Sequence, residues 1–348
     1  MLGVWQQMKK LTGLSDMGYK TYLGVVYFFS FDSIWLVRIL KALFSAYTCV
    51  LVYKLAGRNF GESTARLTAV FCMLMPNLIY YCGLHLKEVE MLFLIVLFVE
   101  RSDYILRIKK IPIFQTILVV IIGLSLFTLR TVLGAVAFMA LFSAMMFSSG
   151  KVLNWSKKLV LSFFVLLLLA IGLGESINQE VGEYWEARTE NQSNNMEWRS
   201  KRKSGNEFTK YGSVAIFAPM IFTAPLPTMV NIETQENQMM LHGGNYVKNI
   251  TSFFTIIAIF LLFYKGEWRL SSMPLFFLIG YLAVISLSGF AISERFHLPA
   301  LPFNLMFAAY GISQVTNKHK RWFNVWLIFI FVAIVGWSWF KLAGRGIV

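Results

Sequence analysis

From Ser33 to the C-terminus the chain repeats one pattern, an apolar run followed by a short polar or basic turn. The runs cover approximately 33–55, 64–82, 87–100, 112–130, 132–149, 158–175, 251–265, 272–290, 299–316 and 322–340. A helix that crosses a bilayer takes about 20 mostly apolar residues, and in hydrocarbon the backbone must satisfy its own hydrogen bonds. The pattern therefore predicts an all-α integral membrane protein, a polytopic bundle of about ten transmembrane helices. Composition agrees: 57% of the residues are hydrophobic and 14% charged, far from the balance of a soluble domain. The runs at 112–130 and 132–149 suit one helical hairpin turning at "TLRT".

The formal net charge of +14 points away from nucleic acid, because the basic residues are scattered in short clusters between apolar runs. Those clusters set topology. Lys54 with Arg58, then Arg101, Arg107, Lys109 and Lys110, then Lys151, Lys157 and Lys158, then Lys265 with Arg269, then Lys318, Lys320 and Arg321 fall in alternate loops. By the positive-inside rule these five loops are cytoplasmic. The N-terminal residues, "CGLHLKE", "LRT", the polar segment 176–250 and "AISERFHLPA" then share the extracytoplasmic face. Residues 1–316 are expected to form a single transmembrane domain, with 176–250 as its extracytoplasmic loop, and 317–348 to add a basic turn and the last helix. "YLGVVYFFSF", residues 22–31, is too short to cross and suits an interfacial helix. The three cysteines offer no disulfide framework.

Several charges interrupt the apolar runs near that face. Lys87, Glu88 and Glu90 open the run at 87–100; helix-end residues can snorkel to water, whereas ionisable groups at membrane depth usually face a cavity and mark function. Arg38 and Lys41 lie about one turn apart inside the first run, with phosphate a natural partner. Arg130 has two readings, headgroup anchor or anion ligand. Glu294, Arg295 and His297 precede a helix whose start is set by Pro299 and Pro302, and with Arg295 two residues from His297 an anion site is the expectation rather than zinc. No HExxH, paired CxxC, Walker loop, GxSxG elbow or dinucleotide fingerprint is present. In the long polar segment, "QEVGEYWEART" suits sugar hydroxyls and ring faces, although a solvated amphipathic helix has the same pattern and is the favoured reading. "VAIFAPMIFTAPLPTMV" is broken by prolines and expected to dip into the interface or re-enter, and "TQENQMMLHGGNYVKN", which ends in "LHGGNYVKN", reads as a polar turn able to close as a lid.

"IWLVRILKALFSAYTCVLVYKLAGRNFGESTARLTAVFCMLMPNLIYYCGLHLKE" resembles the core of bacterial polyprenyl-phosphate-sugar glycosyltransferases of the GT-C membrane fold, which are similar to dolichyl-phosphate-mannose protein mannosyltransferases. The shared features are an arginine-bearing helix, a basic turn with "FG", a helix ending in proline and aromatics, and an outward-facing lysine-glutamate pair. "ERFHLPALPFNLMFAAYGI" resembles the segment that opens one of the family's late helices. The likeness reaches about residue 316 and is weak across 150–250. It implies a GT-C-like fold and transfer of a hexosyl or pentosyl group from a polyprenyl-phosphate donor to a lipid, glycan or protein acceptor. The setting it implies is the outer face of a bacterial plasma membrane, with membrane lipid as the other partner.

A carboxylate would take the acceptor's proton while cations, in some members with a divalent metal ion, hold the departing phosphate. Carried over residue by residue, Lys87 and Glu88 match the lysine-glutamate pair, Arg295 the late arginine and Arg38 that of the early helix. Lys41, Arg130 and His297 join the candidate phosphate ligands, and Glu88 joins Asp16 as a candidate catalytic carboxylate. The family's further N-terminal helix and aspartate-bearing outer loop would precede Met1, which makes Asp16 the remaining upstream acid besides Asp32 and leaves a shortened, non-catalytic chain as one alternative. A polysaccharide polymerase or ligase using lipid-linked sugars, and a transporter, are the others.

Overall fold

The structure, a computed structural model, describes residues 14–108, 113–147, 221–228, 239–287 and 294–343. Every regular element among them is helical. In chain order these are α1 (Leu14–Ser30), α2 (Ile34–Phe60), α3 (Glu62–Leu74), α4 (Pro76–Gly83), α5 (Glu88–Arg107), α6 (Ile113–Leu129) and α7 (Thr131–Phe147). After them come α8 (Met239–Tyr264), α9 (Ser272–Leu287), the single turn α10 (Glu294–His297), α11 (Leu301–Ser313) and α12 (Asn317–Ala343). The expected run at 158–175, the segment "QEVGEYWEART" and most of 176–250 lie outside the described residues.

Two helices form the centre. The sequence of α11, LPFNLMFAAYG, is apolar on all sides, and Leu301 through Gly311 are all buried, as expected for a helix with no polar face. It packs between α3 and α8. A Cβ at Gly311 would stand 2.0 Å from the carbonyl oxygen of Phe254, so α8 and α11 can approach this closely only with glycine there. The second central helix, α5, packs against α2 and α6. Its middle, Ile95, Val96, Phe98 and Val99, is fully buried, while acids stand near both ends.

The α6–α7 hairpin turns at Arg130 as expected, with the Arg130 N–H donating to Leu126 and its carbonyl accepting from Leu133 and Gly134. The run at 64–82 is broken: α3 and α4 bend by 47° at Pro76, whose ring denies a continuous helix. Between α2 and α3 the chain turns at Gly61, whose φ of +88° suits glycine.

Three stretches gain definition. Residues 22–30 belong to a longer helix, α1, whose Gly18 meets Thr128 near the end of α6; Met17 and Val26 turn inward where α1 packs on α6 and α2, while Phe28 and Phe29 stay exposed. "LHGGNYVKN" is no turn or lid but the first turns of α8. Gly244 supplies the close approach to α4, for a Cβ there would stand 1.3 Å from Asn77 Oδ1. Of the proline-broken segment, 221–228 is described and almost wholly buried. It lies on α8: Lys248 Nζ donates to the Ala224 carbonyl, Asn249 Nδ2 to those of Thr223 and Pro225, and Ser252 Oγ to that of Phe222.

Among the described residues α2, α8 and α12 are each long and apolar enough to cross a membrane alone, and the bent pair α3–α4 adds a fourth if counted as one span. Large apolar side chains face outward on them: Trp35 and Ile328 are both 67% exposed. Such bare apolar faces on long helices belong against lipid, and the chain is a multi-pass membrane protein. Helix α12 packs on α8, through Trp326 Nε1–H to the Asn249 carbonyl (3.1 Å), and on the 221–228 segment, through Ile330 and Ile334 against Leu226.

The basic end of α5 is held by charge. Arg58 of α2 meets Glu100 Oε1 at 2.5 Å and Asp103 Oδ2 at 3.1 Å. Arg107 reaches Asp103 at 3.1 Å, Asn59 Oδ1 at 2.8 Å and the Leu270 carbonyl at 2.5 Å. Arg58 and Arg107 are thus more than topology signals. They tie α2, α5 and the turn before α9 together.

Candidate functional site

The site forms around the N-terminus of α5, at the end opposite that ionic network. Lys87, Glu88 and Glu90 stand within one helical turn, and their side chains leave in three directions. Glu88 is 1% exposed. Its Oε1 accepts from Arg295 Nε and lies 3.9 Å from Arg130 Nη2, so two guanidiniums converge on one carboxylate oxygen. Its Oε2 is buried without a partner. Beside it is a small hollow lined by Ser45, Thr48, Leu78, Tyr81 and Leu298, with room for about one water molecule.

Lys87 reaches sideways to the end of α6, donating to the Leu129 carbonyl at 2.7 Å, one residue before Arg130. Arg130 stacks over the Phe296 ring, 4.5 Å from its centroid, and donates to Tyr281 Oη at 3.4 Å. The aromatic face and the hydroxyl fix the guanidinium plane without neutralising it. Arg130 and Arg295 therefore meet on the buried Glu88, with Lys87 held at the end of α6 next to Arg130.

Glu90 turns the other way, to Lys41 of α2. Lys41 is 1% exposed and meets Glu90 Oε2 at 3.3 Å, the Leu86 carbonyl, and the Tyr19 ring 5.5 Å from its centroid. This pair seats α1 against α2 and α5, next to the Glu88 cluster but committed to its own carboxylate. Arg38, one turn from Lys41, is on the exposed side of α2, 5.8 Å over Trp35. Partial desolvation, with Lys41 and Arg38 nearby, holds the His85 imidazole below its ordinary range. The structure does not bring Arg38 to Glu88. Nor does His297 face that way: it is buried, with Nδ1 2.9 Å from Lys248 Nζ. Asp16 lies on the first turn of α1, in the stretch that Gly18 seats against Thr128; its side chain lies outside the described residues.

Sequence reading passed over three residues of this region as site candidates. Glu294 Oε1 accepts from Asn245 Nδ2 at 3.1 Å, and Asn245 Oδ1 accepts from Asn77 Nδ2 at 3.2 Å. Asn77 and Asn245 are separated by 168 positions, so only the fold brings them together. Among the described residues no three His, Cys, Asp or Glu side chains gather closely enough to hold a metal ion, so a metal has no fitting ligand set there.

The fold and the site together define a multi-pass helical membrane protein in which two partly buried arginines converge on a buried glutamate at one end of a central helix. No family model matches the chain, and no curated protein matches it. Among solved structures it is similar to ArnT from Cupriavidus metallidurans in the apo state, with 12% sequence identity and a TM-score of 0.49. That likeness covers 90% of this chain and 52% of the other, so the chain spans about half the length of that structure.

Proposed function

We propose that the protein is a membrane glycosyltransferase that moves a sugar from a polyprenyl-phosphate-linked donor to a lipid, glycan or protein acceptor, at the extracytoplasmic face of a bacterial plasma membrane. The observation that carries this reading is the meeting of Arg130 and Arg295 on the buried Glu88, with Lys87 beside them. Guanidiniums match the oxygens of a phosphate in pairs, and two of them on one carboxylate oxygen leave positive charge to spare. A lipid phosphate arriving there takes up that excess. As the sugar leaves, the charge that develops on the phosphate oxygen is stabilised by cations already in place. Glu88 orients the two arginines, and Lys87 adds an ammonium on the α6 side. The sequence resemblance supports the same assignment through Lys87, Glu88 and Arg295, whereas Arg38, which it also singles out, lies apart on the exposed side of α2.

The role of Lys87 is tested by Lys87→Ala in reconstituted membranes. Release of sugar from a polyprenyl-phosphate donor is expected to fall by about 100-fold or more, with folded protein recovered in normal amount. Unchanged turnover removes Lys87 from the phosphate side.

A further inference from the structure

The turn α10 is four residues long, and its residues are held by three helices, α5, α8 and α9. Glu294 is held by Asn245 of α8, and Arg295 by Glu88 of α5. The Phe296 carbonyl accepts from Tyr281 Oη of α9 at 3.0 Å, and its ring lies under Arg130. His297 meets Lys248 of α8. A short turn fixed at every position presents its side chains in one arrangement, the condition a reacting group needs.

Two carboxylates flank Arg295, and their surroundings push them toward different tasks. Glu88 is buried, with one oxygen taken up by two guanidiniums. That carboxylate is already committed to orienting the two arginines. Glu294 is only partly buried, and its hydrogen bond comes from one neutral amide, with the Lys248 side chain near enough to interact by charge. That amide is itself locked. Because Asn245 must donate to a carboxylate, its Oδ1 faces Asn77, which must in turn donate. Both asparagines are almost wholly buried, at 1% and 4% exposure, and the absence of a side chain at Gly244 makes room for Asn77. The chain Asn77–Asn245–Glu294 thus aims one carboxylate from three elements, beside the arginine that would hold the leaving phosphate.

We propose that Glu294 is the catalytic base of the transfer reaction, with Asn245 and Asn77 as its positioning residues. Its carboxylate takes the proton from the acceptor hydroxyl as that oxygen bonds to the anomeric carbon of the donor. The bond from that carbon to the lipid phosphate breaks, and its electron pair leaves on the phosphate oxygen, next to Arg295. The assignment rests on the glycosyl-transfer reading above, and it takes the role of base from Asp16 and Glu88.

The test uses the full chain in lipid nanodiscs and two readouts. One is binding of undecaprenyl phosphate. The other is release of undecaprenyl phosphate from its mannose, glucose and arabinose derivatives, with a bacterial envelope extract supplying acceptors. Glu294→Gln keeps the bond from Asn245 and removes the base; binding is expected within a few fold of wild type and release down by about 100-fold or more. Gly244→Ala, which drives a methyl into Asn77, is expected to lower release in the same way, whereas Gly243→Ala, with open space around its Cβ, keeps it. Wild-type release by Glu294→Gln, or its loss in Asp16→Asn alone, overturns the assignment while leaving the phosphate reading intact. Absence of undecaprenyl phosphate binding by the wild type overturns both.

Discussion

Asp103→Ala is expected to lower the unfolding free energy by about 3–5 kcal/mol, the cost of removing one partner from a buried ion network. Asp103 is 2% exposed and lies within 3.1 Å of both Arg58 and Arg107. Without it the two guanidiniums face each other across the basic end of α5, and the tie from Arg107 to the Leu270 carbonyl loses its anchor. Thermal unfolding in detergent, followed by near-UV dichroism, reads the effect directly. Arg66→Ala supplies the contrast. Its partner Glu62 sits one turn away on α3, with side chains 76% and 55% exposed, and exposed pairs of this kind contribute little; no measurable shift is expected. Equal behaviour of the two variants would show that the network carries no special share of the stability.

Glu88→Gln is expected to tighten binding of undecaprenyl phosphate by about tenfold, or about 1.4 kcal/mol, while lowering thermal stability. The carboxylate competes with a phosphate for Arg130 and Arg295, and as a like charge it also repels one. Removing the charge but keeping the shape releases both guanidiniums to the ligand. The loss of stability follows from the same change, since arginines that met a carboxylate then meet a neutral amide, an effect moderated at Arg295 by its 41% exposed side chain. Weaker phosphate binding in Glu88→Gln would mean that Glu88 supports the ligand through some other contact.

The helices were largely legible in the sequence because lipid imposes a simple rule on segment length and polarity. The runs at 33–55, 112–130, 132–149, 272–290, 299–316 and 322–340 correspond to α2, α6, α7, α9, α11 and α12, with ends shifted by a few residues. The rule fails where polar residues are buried inside the bundle. It stopped the run of α8 at residue 251, because His242, Asn245, Lys248 and Asn249 look like loop residues. In the fold, Lys248, Asn245 and Asn249 spend their polar groups on His297, on Asn77 and Glu294, and on the 221–228 segment. Lys87, Glu88 and Arg295 were legible as out-of-place charges. Their division of labour was not, for neighbouring charges at a helix start look alike in sequence, whereas the structure sends Lys87 to Leu129 and Glu90 to Lys41. The Asn77–Asn245–Glu294 chain had no signal, because neutral amides in helices carry no pattern of their own.

The central claim is that cations gathered about Glu88 exist to meet a lipid phosphate. Titration of undecaprenyl phosphate into the full chain in nanodiscs, compared across wild type, Arg295→Ala, Arg130→Ala and Arg269→Ala, tests it most directly. Arg269 lies in the turn at the far end of α8, away from the site. Saturable binding that weakens about tenfold or more in Arg295→Ala and Arg130→Ala, and stays unchanged in Arg269→Ala, is the predicted result. Equal affinity in all four proteins, or no saturable binding in any, would contradict it.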